Sequence, residues 1–259
     1  LGDVYKRQDN SLEVASSFQD ERIHIYTKEN EGVSAARNYG IMHAKYDYIA
    51  FLDADDIWES DYLECQKKLI GTYPDAGIYS TAFYSLEKGK RKLRNVLINE
   101  HIHFLVHDYF KESVMNGLSI CWTSSLCLKK EVIKEIPMFR VGIKRGEDLD
   151  LWLRIALNYD VAYLNLPKVF YRTGLSDSLT SDYSKNGEFP YYEWFNFTSE
   201  SSYYRKYVIL VVYIHAKNAF IHHDYDTCLA ELWSVKTIAW RFKWAERLLL
   251  LVISWIKSK

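Results

Sequence analysis

Cysteine is scarce in this chain, and its four residues follow no regular spacing: Cys65, Cys121, Cys127 and Cys228. They fit neither a zinc site nor the dense framework of a disulfide-stabilised secreted domain. No secretory signal is recognisable in the sequence. These absences predict a reducing, cytosolic setting.

The chain also has no excess of either charge and no long apolar run. Lys and Arg number 33 against 34 Asp and Glu, so there is no overall field to hold nucleic acid. The C-terminal apolar run, from Leu248 to Ile253, is far shorter than the roughly 20 residues that a membrane-spanning helix needs. The composition is that of a globular protein, and 259 residues suffice for one large domain or for one domain with an appendage.

Before Pro74 the chain alternates between helix and strand patterns. Helical patterns cover residues 10–18, 33–45 and 60–73, and strand patterns cover 22–28 and 46–52. Helices that alternate with strands in this way cover both faces of a parallel sheet. The predicted fold class is therefore α/β, with a mostly parallel sheet flanked by helices.

After Pro74 the pattern becomes mixed. A hairpin is predicted over 76–98, with its turn near Lys88 and Gly89. The other predicted elements are a helix over 103–117, a strand passing into a short helix over 119–133, an amphipathic helix over 146–160, and a strand pair or bent strand over 161–174. The chain reads as helical from about residue 188, which predicts a main domain over 9–185 and a C-terminal helical appendage over 186–259.

Three carboxylates follow the strand pattern of 46–52 almost at once: Asp53, Asp55 and Asp56. In an open α/β sheet, ligands bind beyond the carboxyl ends of the strands. Alternate residues of an extended segment point the same way, so Asp53 and Asp55 could face one ligand. Two such carboxylates repel unless a cation or a set of donors separates them, and their oxygens favour Mg²⁺ or Mn²⁺. On these residues alone, a cap on the next helix is an equally good interpretation.

Two other stretches carry groups suited to an anionic ligand or to proton transfer. NEGVSAARN, residues 30–38, places Gly32 in a loop before a helix and Arg37 one turn into that helix. RGEDLDLWLR, residues 145–154, begins a helix with Glu147 and Asp148. Taken singly, the first is better explained as a glycine loop with a surface arginine. The second could be an ordinary acidic helix start, but that does not explain why it follows a glycine and a basic pair so closely.

Together and in this order, NEGVSAARN, FLDADD and GEDLDLWLR resemble the inverting family 2 glycosyltransferases of the GT-A fold. The resemblance covers roughly residues 10–178. It implies transfer of a sugar from a nucleotide diphosphate sugar, such as a UDP-sugar, assisted by Mn²⁺ or Mg²⁺. The Gln-x-x-Arg-Trp signature of processive synthases is missing, which favours one sugar per encounter.

The resemblance implies roles for the two acidic motifs. Asp53 would contact the nucleoside, and Asp55 would bind the metal that bridges the donor phosphates. A metal can neutralise the charge that builds on the leaving diphosphate. Asp148 would act as the general base that takes the acceptor proton, with Glu147 beside it positioning the acceptor. A single displacement with the base opposite the leaving group gives inversion.

Five further residues are implied as parts of the nucleotide-sugar site. Asn30, Gly32 and Arg37 belong to the motif that lines the nucleotide pocket. Trp122 and Ser124 lie in CWTSS, where the family's sheet faces the donor sugar.

Two parts of the family pattern are absent. The chain lacks the first strand with its Pro-x-Tyr-Asn type loop and the second strand with its acidic end. Residues 1–8 fit no element, so we interpret them as a non-native scar and expect the domain to lack about one βαβ unit. Half a nucleotide pocket and an open sheet edge would weaken UDP binding. The His that often follows the Tyr-Arg pair is also replaced, by Gly174 or Leu175, and Arg172 could contact phosphate instead.

The expected acceptor is a growing bacterial-type surface polysaccharide or a lipid-linked glycan, handled in the cytoplasm or at the inner face of the cytoplasmic membrane. Residues 240–259 combine Trp and basic side chains with the short apolar run, so this helix could lie in a membrane interface or equally pack on the domain. The basic run of 88–94 is most simply a solvated hairpin tip. A non-catalytic nucleotide-binding-like module is the alternative function, and a nucleotidyltransferase is a weaker one. Asp148 with an intact Asp-x-Asp favours the enzyme.

Overall fold

A seven-stranded mixed sheet lies at the centre of the fold. The computed structural model describes residues 10–143, 145–174, 191–194 and 196–234. The strands are β1 (Tyr48–Ala50), β2 (Ile57–Trp58), β3 (Ile78–Glu87), β4 (Lys90–Arg94), β5 (His103–Val106), β6 (Leu126–Lys129) and β7 (Val161–Thr173). They follow the order β1-β6-β3-β7-β2, with β4 paired to β3 and β5 paired to β7.

The α/β class is confirmed, but the mostly parallel pairing predicted for the sheet is wrong for the described strands. Only β3 and β7 run parallel, and the other five pairs are antiparallel. One cause is the β3–β4 hairpin, whose turn at Lys88 and Gly89 has positive φ at both residues, as a tight two-residue turn requires. The others are β6, which pairs antiparallel with both β1 and β3, and β7, which pairs antiparallel with β5 at its start and with β2 near its end.

Helices flank this sheet. They are α1 (Ser11–Ser17), α2 (Val33–His43), α3 (Tyr62–Thr72), α4 (Tyr109–Asn116), α5 (Val132–Glu135), α6 (Glu147–Ala156), α7 (Tyr191–Trp194), α8 (Tyr204–Ile221) and α9 (Tyr225–Ser234), with a 3-10 turn at Thr123–Ser125. Within the described ranges, no helix has both the length and the apolarity to cross a membrane. The predicted interfacial helix of 240–259 lies outside the described residues.

Two predicted elements differ from the structure. Residues 22–28 form no strand and pair with no described neighbour, so their backbone lacks the ladder that defines a strand. The helix predicted over 103–117 is a strand, β5, followed by α4, which begins after Asp108. The Asp108 carboxylate accepts a hydrogen bond from the Lys111 amide and thereby caps the helix, which sets its late start.

The main hydrophobic core lies between the sheet and helices α4, α6 and α8. It includes buried aromatic residues of both the sheet domain and the C-terminal helical region, among them Trp152, Tyr163 and Tyr207. Tyr109 of α4 and Tyr207 of α8 pack edge-to-face and share a hydrogen bond of 3.0 Å between their hydroxyls. The helix α8 therefore completes the core of the sheet domain, while α8 and α9 share a smaller core of their own.

A buried ionic network fixes α6 in place. Asp150 is fully buried, and its carboxylate accepts hydrogen bonds from Arg154 and from the indole of Trp194. Arg154 in turn donates to the carbonyl oxygens of Pro137 and Met138. These contacts satisfy the charges that burial would otherwise penalise. They hold the segment before Phe139 against α6, next to the candidate site.

Candidate active site

The acidic motif after β1 forms a tight turn. The Asp56 amide donates to the Asp53 carbonyl oxygen at 2.9 Å, so residues 53–56 reverse direction instead of continuing as an extended strand. The strict alternation assumed for Asp53 and Asp55 therefore does not apply. Neither Asp55 nor Asp56 caps α3, because that helix begins after Asp61. The capping interpretation is wrong, and the carboxylates are available for other contacts.

Strand β7 holds this turn from the other side. The Arg172 amide donates to Asp56 Oδ1 at 3.2 Å, and the Arg172 Nε donates to the Asp55 carbonyl oxygen. The predicted phosphate contact of Arg172 stays a prediction, and the observed role of this residue is to support the turn. The acidic turn thus has its backbone fixed while its first two carboxylates stay partly exposed.

Arg37 joins the acidic turn to the start of α6. Its guanidinium forms ion pairs with Asp53 at 2.9 Å and with Glu147 at 2.8 Å. The side chain of Arg37 is only 10% exposed, and that of Glu147 is 12% exposed. Burial disfavours the charge of Arg37, but the carboxylates of Asp53 and Glu147 outweigh that cost and raise its pKa. Arg37 is therefore a permanent cation between the two motifs, not the surface arginine of the simpler interpretation.

The loop before α6 supports Arg37. Its guanidinium carbon lies 5.4 Å from the ring centre of Phe139, within the range of a cation–π contact. The side chain of Asn38 pairs with the backbone of Phe139 through two hydrogen bonds, one to the carbonyl oxygen at 2.7 Å and one from the amide at 3.0 Å. The last residue of NEGVSAARN thus fixes the ring on which Arg37 lies.

The two acidic residues of α6 have different surroundings. Asp148 accepts a hydrogen bond from the Thr123 hydroxyl at 3.0 Å and another from the Leu149 amide at 2.7 Å. These contacts fix its carboxylate at the N-terminus of a helix, where negative charge is favoured. Burial, with repulsion from Asp148, raises the pKa of Glu147 to about 7 despite the opposing effect of Arg37. Glu147 is linked to the acidic turn through Arg37, and Asp148 is held by Thr123.

The 3-10 turn of Thr123–Ser125 links the two motifs a second time. The Ser124 hydroxyl accepts a hydrogen bond of 3.0 Å from the Asp53 amide, while Thr123 contacts Asp148. Ser124 is fully buried, and in this structure its hydroxyl positions Asp53. Its contact with the donor sugar stays a prediction. Thr123 had not been singled out from the sequence, although it lies in the same CWTSS stretch.

Trp122 occupies the edge of the site. Its ring packs against Tyr171 at 4.6 Å and Phe83 at 5.6 Å between ring centres, and it is only partly buried. A partly exposed indole held by two rings suits the apolar face of a sugar. Its contact with the donor sugar stays a prediction.

The residues at the start of NEGVSAARN lie in the loop before α2. Gly32 precedes α2 with a φ of 98°, a backbone conformation that favours glycine, and Asn30 is exposed. An open cavity of about 800 Å³ lies between residues 21–29, α2 and β1, and is lined by Gly32 and Arg37. Its volume is that of a ligand pocket. The carboxylates of Asp53, Asp55 and Asp148 do not line it, whereas Arg37 lines the cavity and also contacts Asp53.

Asp55 is the residue best placed to hold a divalent cation. Its side chain is half-buried and forms no hydrogen bond or ion pair with the described part of the chain, whereas Asp53 is held by Arg37. No cluster of three or more His, Cys, Asp or Glu residues suited to a metal occurs among the described residues. This donor set fits Mg²⁺ or Mn²⁺ bound through one or two carboxylates, with substrate phosphates supplying other ligands.

Asp56 gives a prediction for the pH dependence of stability. Burial, assisted by Asp53 and Asp55, raises its pKa from 3.8 to about 7, although the Ser124 hydroxyl partly offsets this. The folded state therefore favours protonated Asp56, and this stabilisation is lost as pH rises through 7. We expect Asp56→Asn to raise the free energy of unfolding at pH 8 by on the order of 2 kcal/mol, and to change it little at pH 4.

Thermal unfolding in EDTA at both pH values measures this effect. The exposed Asp75→Asn is the matched control and should shift Tm little at either pH. An Asp56→Asn protein with the same Tm difference from wild type at both pH values would contradict the assignment.

The sequences that this chain resembles are those of glycosyltransferases. The sequence model of glycosyl transferase family 2 matches residues 6–136. An uncharacterized glycosyltransferase of Rickettsia felis is 34% identical over 142 residues, which are 53% of this chain and 22% of that protein. TuaG of Bacillus subtilis, named as a teichuronic acid biosynthesis glycosyltransferase, is 28% identical over 158 residues, which are 60% of this chain and 59% of that protein. The chain spans less than two thirds of the length of each of these relatives.

Solved structures match over most of the chain. The S. aureus TarS fragment 1–349 with UDP-GlcNAc has a TM-score of 0.57 at 12% identity, covering 95% of this chain and 67% of that one. The same fragment with UDP has a TM-score of 0.54, covering 91% and 61%. At this identity the likeness concerns the fold alone, and it confirms the GT-A type predicted from the sequence.

Proposed function

The chain belongs to glycosyl transferase family 2, and from this we propose that it transfers one sugar from a nucleotide diphosphate sugar to an acceptor hydroxyl, with inversion. One observation carries the proposal: Arg37 and the Thr123–Ser124 pair join the acidic turn to the start of α6. Carboxylates for a metal–diphosphate and a carboxylate for proton transfer therefore belong to one site.

The proposed donor is a UDP-sugar. TarS structures that share the fold were solved with UDP-GlcNAc and with UDP, which supports this class of donor. Arg37 contacts Asp53 at Oδ1, which leaves Oδ2 free of described partners and suited to accept from a ribose hydroxyl. Trp122 would pack against the donor sugar from the side of β3 and β7.

The proposed acceptor is a growing surface polysaccharide or a lipid-linked glycan. TuaG, which matches 60% of this chain, is named for the biosynthesis of such a polymer. Asp148 takes the proton of the attacking hydroxyl, because Thr123 and the Leu149 amide fix its carboxylate while it remains partly exposed. Glu147, held by Arg37, positions the acceptor beside it.

Asp55 would hold the divalent cation against the donor phosphates. Such a cation supplies neutralisation of the charge that develops on the leaving diphosphate. Arg37 keeps Asp53 and Glu147 at fixed separation, so that nucleoside and acceptor are oriented relative to each other.

Product analysis tests the proposal. The complete gene product, with Mn²⁺, is offered a panel of UDP-sugars and glycan acceptors, and the anomeric configuration of the product is read by NMR. From an α-linked donor we expect a β-linked product. An α-linked product would exclude the inverting mechanism, and turnover of nucleoside triphosphates without sugar transfer would favour a nucleotidyltransferase.

A further inference from the structure

The β3–β4 hairpin carries a row of cations on one face. In its antiparallel register Ser85 pairs with Lys92 and Glu87 pairs with Lys90, so these side chains lie on the same face. The cationic strip, as we call it, consists of Lys88, Lys90, Lys92 and Arg94. All four residues are exposed, and Glu87 is the carboxylate that shares their face. Within the described part of the chain, no carboxylate forms an ion pair with the strip.

Exposed aliphatic side chains follow the strip directly along the chain. Val96 and Ile102 are about half exposed, and Ile98 is 98% exposed. Val96 and Ile98 alternate with Asn95 and Leu97, which are buried and hydrogen-bonded to the rest of the fold. The backbone of the segment is therefore fixed to the fold, and this keeps the side chains of Val96 and Ile98 exposed to solvent.

We infer that the cationic strip and Ile98 form a docking surface for an anionic lipid bilayer. Basic side chains gain affinity from anionic headgroups, and an adjacent apolar side chain can enter the boundary between headgroups and acyl chains. Transfer of a fully exposed isoleucine side chain from water into a membrane interface is favourable, because it removes apolar surface from water. The inference goes beyond the proposed function, because it concerns a surface and not the sugar-transfer site.

The side chains of this surface fit a bilayer better than an acidic glycan. Proteins commonly meet sugar faces with aromatic rings. The rings nearest the strip offer no free face to a sugar. Phe83, which pairs with Arg94, is 2% exposed and packs against Trp122 and Tyr171. Tyr84 and Phe170 stack on each other, and Phe170 lies 4.8 Å from the Arg91 guanidinium on the face of β4 opposite the strip. The exposed side chains that follow the strip along the chain, Val96 and Ile98, are aliphatic.

The position of the strip suits an acceptor that is itself held in a membrane. Arg172 on β7, which supports the acidic turn, pairs with Leu86 on β3, and Leu86 pairs with Arg91 on β4. Two interstrand steps of about 4.8 Å separate Arg172 from β4. Arg172, which supports the acidic turn, therefore lies about one nanometre from β4 within the sheet.

Vesicle binding tests the inference without any donor or acceptor. The full chain is titrated with phosphatidylglycerol vesicles and with phosphatidylcholine vesicles, and binding is measured by co-sedimentation. We expect binding to the anionic vesicles that weakens with salt. The triple variant Lys88→Ala/Lys90→Ala/Lys92→Ala should bind them about 100-fold more weakly, at about 1 kcal/mol for each basic residue.

The matched control removes the same charge elsewhere. Lys67→Ala/Lys68→Ala/Lys111→Ala changes three exposed lysines of α3 and α4 and should bind nearly as wild type. An equal loss of vesicle affinity in both triple variants would show that binding depends only on net charge, and would overturn the inference. Unchanged vesicle binding of the strip variant would also overturn the inference. In that case another segment of the chain would bind the membrane.

A fluorescent reporter at position 98 tests the apolar part. Cys65 is the partly exposed cysteine among the four, so Cys65→Ser/Ile98→Cys carries one accessible thiol for an environment-sensitive dye. We expect a blue shift of the dye emission on phosphatidylglycerol vesicles and none on phosphatidylcholine. No shift on either, or strip-dependent binding to soluble polygalacturonate but not to vesicles, would overturn membrane docking, and the second result would assign the surface to an acidic glycan.

Discussion

Replacing Asp148 with Asn is expected to lower kcat roughly 1,000-fold while leaving donor affinity nearly unchanged. The amide has the shape of the carboxylate but cannot accept the acceptor proton. The Thr123 hydroxyl and the Leu149 amide can still bind it, because a hydroxyl can reverse its hydrogen bond. Steady-state kinetics with the complete gene product, and UDP titration of the same protein, separate the two effects.

Glu147→Gln is the matched control for this variant. Glu147 has a pKa raised to about 7 by burial, a value that suits a general base, but Arg37 occupies its carboxylate. We expect this variant to raise the acceptor KM more than it lowers kcat. If Asp148→Asn kept a tenth or more of the activity while Glu147→Gln abolished it, the two roles would have to be exchanged.

Replacing Arg37 with Met is expected to lower the free energy of unfolding by about 2–4 kcal/mol near pH 8. The change leaves Asp53 and Glu147 without their shared cation, and Glu147 is mostly buried. Arg37 lowers the pKa of Glu147, so its loss raises that pKa further. A raised carboxyl pKa favours the folded state at low pH, and the deficit should therefore shrink as pH falls below 7.

Arg22→Met supplies the comparison for this variant. Arg22 pairs with Asp20 at 2.6 Å, but its side chain is 85% exposed, so the pair should contribute little. Thermal unfolding of both variants at two pH values measures the difference. Equal, small shifts in Tm for Arg22→Met and Arg37→Met would show that the Arg37 bridge does not hold the two motifs together.

The sequence predicts most elements near the site because their patterns are local. Helices α2 and α6 are predicted from apolar periodicity and capping residues within about 15 positions, and strand β1 from an apolar run that ends at the acidic residues. The hairpin turn at Lys88 and Gly89 is equally local. The three motifs that carry the resemblance are short and continuous, so they too are visible without a structure.

The contacts that build the site are not local, and the sequence could not predict them. Arg37 reaches Glu147 across 110 positions, and Arg172 supports a turn more than 100 positions away. Residues 53–56 form a tight turn and not the extended segment that the sequence suggested. The turn is fixed by the hydrogen bond from the Asp56 amide to the Asp53 carbonyl and by a contact with Arg172 of the distant strand β7. The pairing of 22–28 failed for a related reason, since a strand needs a hydrogen-bonded neighbour and its own pattern cannot supply one.

The central claim is that the acidic turn binds a nucleotide diphosphate through a divalent cation. Calorimetric titration of the complete gene product with UDP, with and without Mn²⁺, tests it most directly when wild type is compared with Asp55→Ala. We expect metal-dependent UDP binding in wild type and its loss in the variant. Equal, metal-independent binding in both proteins would contradict the claim and remove Asp55 from the site.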